Sequence, residues 1–198
     1  MSFLDPITLT GERVTLEPLR PNHGDELAEA TRDGELWTLW YTSAPRPEHM
    51  AAEIDSRLAL GAAGTMLPFS VRRNDCGRLA GMTTFCNVDA DNRRVEIGYT
   101  WLARSAQGTG VNAESKLLML GHAFEQWQCI AVEFRTAWMN LQSRRAIERL
   151  GAKQDGVLRN HRRLPDGSLR DTVVFSILDT EWPAVRNELR RRLAVLRS

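Results

Sequence analysis

The stretch RVEIGYTWLARSAQGTGVNAESKLLMLGHAF, Arg94 to Phe124, joins two hydrophobic periods through a glycine-bearing loop. Its first part alternates, with Val95, Ile97, Tyr99 and Trp101 on one face and Glu96, Gly98, Thr100 and Leu102 on the other, which predicts a strand. Its last part repeats every three or four residues through Ala113, Leu117, Leu120, Gly121, Phe124 and Trp127, which predicts a helix with one small, apolar stripe for a sheet. Between them, Gln107-Gly108-Thr109-Gly110-Val111-Asn112 opens the helix. Two glycines thin the turn of side chains, so the N–H groups and dipole of the helix start can meet an anion. A side chain at Gly110 is expected to stand in that anion's path.

Taken alone, the loop has three readings. It is a plain strand-to-helix turn, a dinucleotide loop of the form G-x-G-x-x-A over Gly108 to Ala113 with Glu133 as the ribose-binding acid, or a nucleotide phosphate loop. The dinucleotide reading fails because Ala103 to Gln107 separate the strand from the first glycine, and because hairpins rather than a βαβ unit precede it. The phosphate-loop reading fails because no Gly-Lys-Ser/Thr follows.

Working outward, Glu12 to Leu19 reads as a first strand, and Asn22 to Arg32 and Pro47 to Leu60 as helices. Between these helices, Leu36-Trp37-Thr38-Leu39-Trp40-Tyr41 is either core beneath a loop or the wall of an acceptor pocket. Leu67 to Arg72, Leu79 to Phe85 and Arg94 to Leu102 read as successive antiparallel strands, with turn clusters at Asn74 to Gly77 and Asp89 to Asn92. Ile130 to Thr136 is a further strand, followed by a helix over Leu141 to Leu150. Gly156 to Leu164 and Arg170 to Leu178 flank the turn Pro165-Asp166-Gly167-Ser168 as a last hairpin. The terminal helix places Trp182, Val185, Leu189, Leu193 and Leu196 on one face, and its arginine run reads as a solvated face.

The 198 residues suit one domain, 1–198, with a core of ordinary size. Twenty-six basic against 25 acidic residues argue against a general nucleic-acid coat, so no nucleic-acid partner is expected. The start MSFLDPITLT has no basic n-region, and no apolar run nears the roughly 18 residues of a membrane span. A cytoplasmic protein without a membrane partner is therefore expected. Cys76, Cys86 and Cys129 are odd in number and lack ligand spacing, which predicts reduced thiols and no metal.

Two motifs carry a resemblance that spans nearly the whole chain. Gln107 and Gly110 match the Gln/Arg-x-x-Gly-x-Gly/Ala signature of the Gcn5-related N-acetyltransferase (GNAT) superfamily, with Asn112 departing at the final position. Asn140 and Ser143, before a helix ending Leu150-Gly151-Ala152, resemble its N-x-x-S/A motif. The chain is most similar to the Rim-type branch, the ribosomal-protein N-terminal acetyltransferases. That resemblance implies an α/β (α+β) fold with a mixed, mostly antiparallel central sheet flanked by helices. It also implies acetyl-CoA (coenzyme A) as cosubstrate, bound by Trp101, Leu102, Gln107, Gly108, Thr109, Gly110, Val111, Asn112, Asn140 and Ser143.

Acetyl transfer needs an acceptor for the amine's proton, donors for an oxyanion, and a proton for the leaving thiolate. Backbone N–H groups around Trp101 and Leu102 suit the oxyanion. Where many family members have a tyrosine acid this chain has Ile147, which leaves Ser143 as the thiolate's donor or as a helix-start cap. Glu96, on the strand face shared with Gly98 and Thr100, is the first candidate base. His161 is the second, and its neighbours Arg159, Arg162 and Arg163 lower its pKa or receive an acidic acceptor. Trp37, Trp40 and His161 are candidates for the acceptor side. The acceptor is an amine, either a small molecule or a peptide N-terminus, and a homodimer stays open. Two other classes compete: a non-catalytic sensor of CoA or acyl-CoA, and an adaptor that docks its arginine-faced helix on a ribosome.

Overall fold

A computed structural model describes residues 3–38, 44–164 and 166–196. Its elements run β1 (Leu9–Thr10), β2 (Val14–Pro18), α1 (Gly24–Arg32), α2 (Met50–Ala62), β3 (Met66–Arg73), β4 (Leu79–Asp89), β5 (Arg94–Leu102), α3 (Val111–Gly121), β6 (Ala131–Ala137), α4 (Leu141–Glu148), β7 (Lys153–Arg163), β8 (Leu169–Leu178) and α5 (Trp182–Val195). Pro21 and Pro47 each open a single 3₁₀ turn that feeds α1 or α2, where a missing N–H and a fixed φ cost nothing. The short β1 was not anticipated. It adds one two-residue edge pairing to β2.

The eight strands form one sheet in the order β1-β2-β3-β4-β5-β6-β8-β7. Every neighbouring pair is antiparallel except β5 and β6. One face carries the larger core, where Leu16, Phe69, Phe85, Phe175 and Ile177 meet Met119 and Leu120 of α3, Ile147 of α4 and Leu189 of α5. The other face packs Met82 and Trp101 on Leu27, Met50 and Ile54 from α1 and α2. The chain is thus a mixed α/β sheet with helices on both faces.

Two sequence expectations shift. In β5, Tyr99 and Thr100 together oppose the single residue Thr83, because Met82 pairs with Trp101 while Thr84 pairs with Gly98. This bulge reverses the alternation, so Val95, Ile97 and Leu102 share the α3 side while Trp101 falls into the α1–α2 core. It holds Tyr99 at φ 50, and Gly81 opposite is obligatory because a Cβ there would lie 2.1 Å from the Trp101 carbonyl oxygen. Second, α3 ends at Gly121 and passes into one π turn, His122–Gln126, instead of continuing to Trp127. Its buried residues are Val111, Glu114, Ser115, Lys116, Met119 and Leu120, whereas Ala113 and Leu117 are only partly covered. Of the predicted stripe Leu120, Phe124 and Trp127 are buried, while the first turns are misphased because three buried side chains there are polar.

No helix among the described residues is long and apolar enough to cross a membrane. Cys76 is exposed, Cys86 and Cys129 are buried, and all three are free thiols.

Candidate active site

Pairing between β5 and β6 covers only Arg94–Ala131, Val95–Val132 and Glu96–Glu133. Beyond that point both strands continue and diverge, so the edge of β5 from Ile97 onward has no ladder partner in β6. Unpaired strand edges seek hydrogen bonds from outside the sheet. The gap is a cleft of about 590 Å³. Gly98, Tyr99, Thr100, Trp101 and Leu102 line one wall, Phe134 to Ala137 with Asn140, Gln142 and Ser143 the other, and Gln107, Gly108, Asn112 and Lys116 its end.

The end wall is the predicted anion loop. The Gln107 amide donates to the Leu102 carbonyl at 3.0 Å, and the Thr109 hydroxyl to the Ala106 carbonyl at 2.7 Å, so both side chains fold the loop back on itself. Gly110 is the N-cap of α3 at φ 92 and offers no side-chain cap. The first helical bond runs from the Glu114 N–H to the Gly110 carbonyl, which leaves the N–H groups of Val111, Asn112 and Ala113 outside the helical ladder. The expectation for a side chain at Gly110 is corrected. A Cβ there would stand 3.1 Å from Leu196 and 3.2 Å from Arg13, on the side of α5 rather than over the cleft. Its left-handed backbone, not the ligand's path, is what demands glycine. Val111 is likewise a core side chain that contributes only its backbone.

Asn140 caps α4 by accepting the Ser143 N–H at 2.9 Å, which takes the cap role away from Ser143. Ser143 lines the cleft one turn into the helix, and its hydroxyl has no partner among the described residues. Gln142 reaches 3.5 Å across to Gln107, joining the two motifs at the cleft's rim.

Glu96 is 7% exposed. Its carboxylate accepts from the Asn87 amide at 2.6 Å and lies 3.5 Å from the Arg135 guanidinium. A Cβ on the cleft-lining Gly98 would come within 2.9 Å of it, so the small residue does leave room there. Burial raises its pKa above the ordinary carboxylate value, against the opposing pull of Asn87 and Arg135. Thr100 is not on that face. The bulge turns it toward α3, where its hydroxyl accepts from Lys116 Nζ at 2.7 Å.

Lys116 was not anticipated. It is buried, it lines the cleft, and its ammonium donates to the hydroxyls of Thr83 and Thr100, at 2.9 and 2.7 Å, which bracket the bulge. Burial pulls its pKa down to about 7. A lysine among leucines on a helix reads as exposed until the helix phase is known.

The acceptor-side residues separate. Trp37 is half-buried in a 3₁₀ turn, but its neighbour Leu36 is the one that lines the cleft; Trp40 lies outside the described residues. His161 is exposed and 3.0 Å from Thr172, beside rather than in the cleft, whose wall there is Arg162, Arg163 and Arg170. Partial burial first, then Arg162, Arg135 and Arg170, lower its pKa. Arg159 is neutralised by Asp171 at 2.6 Å. Among the described residues no cluster of His, Cys, Asp and Glu fits a metal ion.

This splayed strand pair, with a bulge facing a helix start, leaves backbone donors open to an extended anionic ligand, and comparison with known proteins gives the class. The family model described as "Acetyltransferase (GNAT) domain" matches residues 13–153, and the chain belongs to that family. It is therefore an acyltransferase of the N-acetyltransferase class, a fold whose general donor is acetyl-CoA. Its sequence is 34% identical over 106 residues to a Bacillus subtilis (strain 168) protein that carries the provisional name ribosomal N-acetyltransferase YdaF; the match spans 54% of this chain and 57% of that protein. The crystal structure of a GCN5-related N-acetyltransferase from Brucella melitensis superposes with TM-score 0.85 at 30% identity, covering 96% of this chain and 86% of that one. RimJ of Mycobacterium smegmatis, in complex with CoA-disulfide, shares the fold with TM-score 0.79 at 22% identity, covering 96% of each chain.

Proposed function

We propose that this chain moves the acetyl group of acetyl-CoA onto a primary amine held between β5 and β6. The observation that supports this most is the end of the β5–β6 ladder at Glu96 and Glu133, beside a helix start with free N–H groups. In this reading the backbone of residues 108–113 receives the pyrophosphate. The open edge of β5 and the Asn140 region hold the pantetheine arm as an added strand would be held. Backbone donors near Trp101 and Leu102 face the developing oxyanion. Glu96 takes the amine proton, directly or through one water, and burial raises its pKa above the ordinary carboxylate value, which makes it a stronger base. The Ser143 hydroxyl donates to the departing thiolate. His161, exposed and beside the cleft, is the weaker base. A protein N-terminus is one acceptor class to test, beside amino acids and small amines, and the name of YdaF makes ribosomal proteins its first source.

Thiol release from acetyl-CoA across peptides, amino acids and small amines tests the reading. Ser143→Ala is expected to lower kcat by roughly 10- to 1,000-fold while changing CoA affinity less, since the lost donor acts only in the transition state. Equal turnover would remove Ser143 from the chemistry. No thiol release with any amine would sink the proposal.

A further inference from the structure

At the acceptor end of the cleft, Arg162 on β7 and Arg170 on β8 are direct cross-strand partners. Like charges placed opposite each other on an antiparallel pair are destabilising, and a sheet normally avoids them. Here the register is set locally: the β7–β8 ladder slips between Leu158 and Arg162, with Asn160 at φ 49 and its N–H tied to Asp171 at 2.7 Å. The bulge brings two guanidinium groups to one place on the cleft wall.

Neither arginine has an ion pair among the described residues, and Arg170 Nε is buried with no hydrogen-bond partner. Most of their neighbours on the same sheet are neutralised, while among the described residues Arg163 donates only to the Gly167 carbonyl at 3.4 Å. Arg159 pairs with Asp171 at 2.6 Å, Arg135 with Glu133 at 2.9 Å, and Arg94 with Glu133 at 2.6 Å. Burial, and after it the charge of Arg162, pull the Arg170 pKa below the ordinary arginine value. An arginine nonetheless stays protonated, so this half-buried charge has no way out by losing its proton. What relieves two adjacent, under-partnered guanidinium groups is an anion that takes both forks.

We propose that the Arg162–Arg170 pair binds an anionic group carried by the acceptor itself, so that the substrate class is a primary amine bearing a carboxylate or a phosphate. This rests on the acetyl-transfer reading above and adds the acceptor's second functional group. Glu96 interacts electrostatically with both arginines and lies behind the cleft-lining Gly98, so the candidate base stands near the anion site without itself lining the cleft. An amine held by its anionic end is thereby oriented toward Glu96.

Matched acceptor pairs test this in the thiol-release assay: glycine against glycinamide, phosphoethanolamine against ethanolamine, and an Asp-initiated against an Asn-initiated dipeptide amide. The expected result is that at least one anionic member exceeds its neutral partner in kcat/KM by roughly ten-fold or more, with the pair that responds naming carboxylate, phosphate or peptide as the source. In Arg162→Gln/Arg170→Gln that ratio falls toward one, and the loss lies in the acceptor KM, not the acetyl-CoA KM. Equal ratios in the parent protein, or a loss confined to the acetyl-CoA KM, would overturn the assignment. A second readout needs no turnover. With CoA saturating the helix start in both proteins, inorganic phosphate is expected to raise the Tm of the parent protein and leave that of the double variant unmoved, and the variant without phosphate to melt no lower than the parent. If no amine is turned over but phosphate still stabilises only the parent, the anion site stands and the acetyl-transfer reading falls. If phosphate shifts both proteins alike or neither, the anion site falls.

Discussion

Helix α3 buries two charges, Glu114 and Lys116, in opposite surroundings. Glu114 faces the closed side, where its carboxylate accepts the N–H groups of Glu12, Arg13 and Val14 at 3.2, 2.6 and 2.8 Å and fastens the entry of β2 to the helix. Gly11 completes the clamp, because a Cβ there would lie 2.6 Å from that carboxylate. Lys116 faces the open side, with two neutral hydroxyls and no carboxylate, at the end of a cleft where Trp101 Nε1, Asn112 Oδ1 and Arg170 Nε are buried without partners. The difference separates structure from function in physical terms. A buried charge with every valence met holds the fold together, whereas buried polar groups left unmet around one cavity are held in place for something else to bind.

The sharpest way to break that comparison is Glu114→Ala. Three backbone N–H groups lose their acceptor at once, and we expect a loss of about 3 kcal/mol in urea-induced unfolding. A loss below about 1 kcal/mol would mean that water replaces the carboxylate and the closed side is no clamp.

Lys116→Met should have the opposite sign. Removing an ammonium that lacks a counter-charge, while Thr83 and Thr100 keep their own bond at 2.8 Å, is expected to stabilise the protein by about 2 kcal/mol at neutral pH. The pH dependence follows from the direction of the shift. The folded protein releases the lysine proton near 7 and the unfolded chain near the ordinary 10.5, so the unfolded state binds more protons between these values. The parent protein therefore gains stability as pH rises from about 7 to about 10, a gain absent from the variant. Unfolding curves at several pH values check it, and identical slopes in both proteins would refute the buried ammonium.

The smallest stability effect belongs to Asn112→Ala. An oxygen with no partner in the free protein costs little to remove, so stability should stay within about 0.5 kcal/mol of the parent. If that oxygen meets the CoA arm, calorimetric CoA affinity should fall by roughly five-fold. A large destabilisation with unchanged affinity would place Asn112 on the structural side of the comparison.

Much of this was legible from residue order alone. The strand Arg94–Leu102 has the bounds its alternation gave, the hairpin punctuation put β3, β4 and β5 side by side, and Gln107, Asn140 and Ser143, which the family resemblance joined from two distant loops, line one cleft. Other features were not. Arg162 stands out in sequence only as a neighbour of His161, Arg135 and Arg170 are ordinary strand arginines, and the three meet because β8 inserts between β6 and β7. Gly110 signals its left-handed backbone, yet the direction of its missing side chain depends on Arg13 and Leu196, which arrive from the two ends of the chain.

The sequence by itself determined the elements, their order and the family motifs, because periodicity, turn chemistry and helix starts are local properties of the backbone and its nearest side chains. Only the tertiary structure decided which polar groups are buried, which are paired and which face the cleft. A single inserted residue opposite Thr83 turns Thr100 toward Lys116 and Trp101 toward α1 and α2, and a second slip near Asn160 sets Arg162 against Arg170. Such registers are fixed by the packing of whole strands on both faces of the sheet, a sum of contacts between residues far apart in sequence.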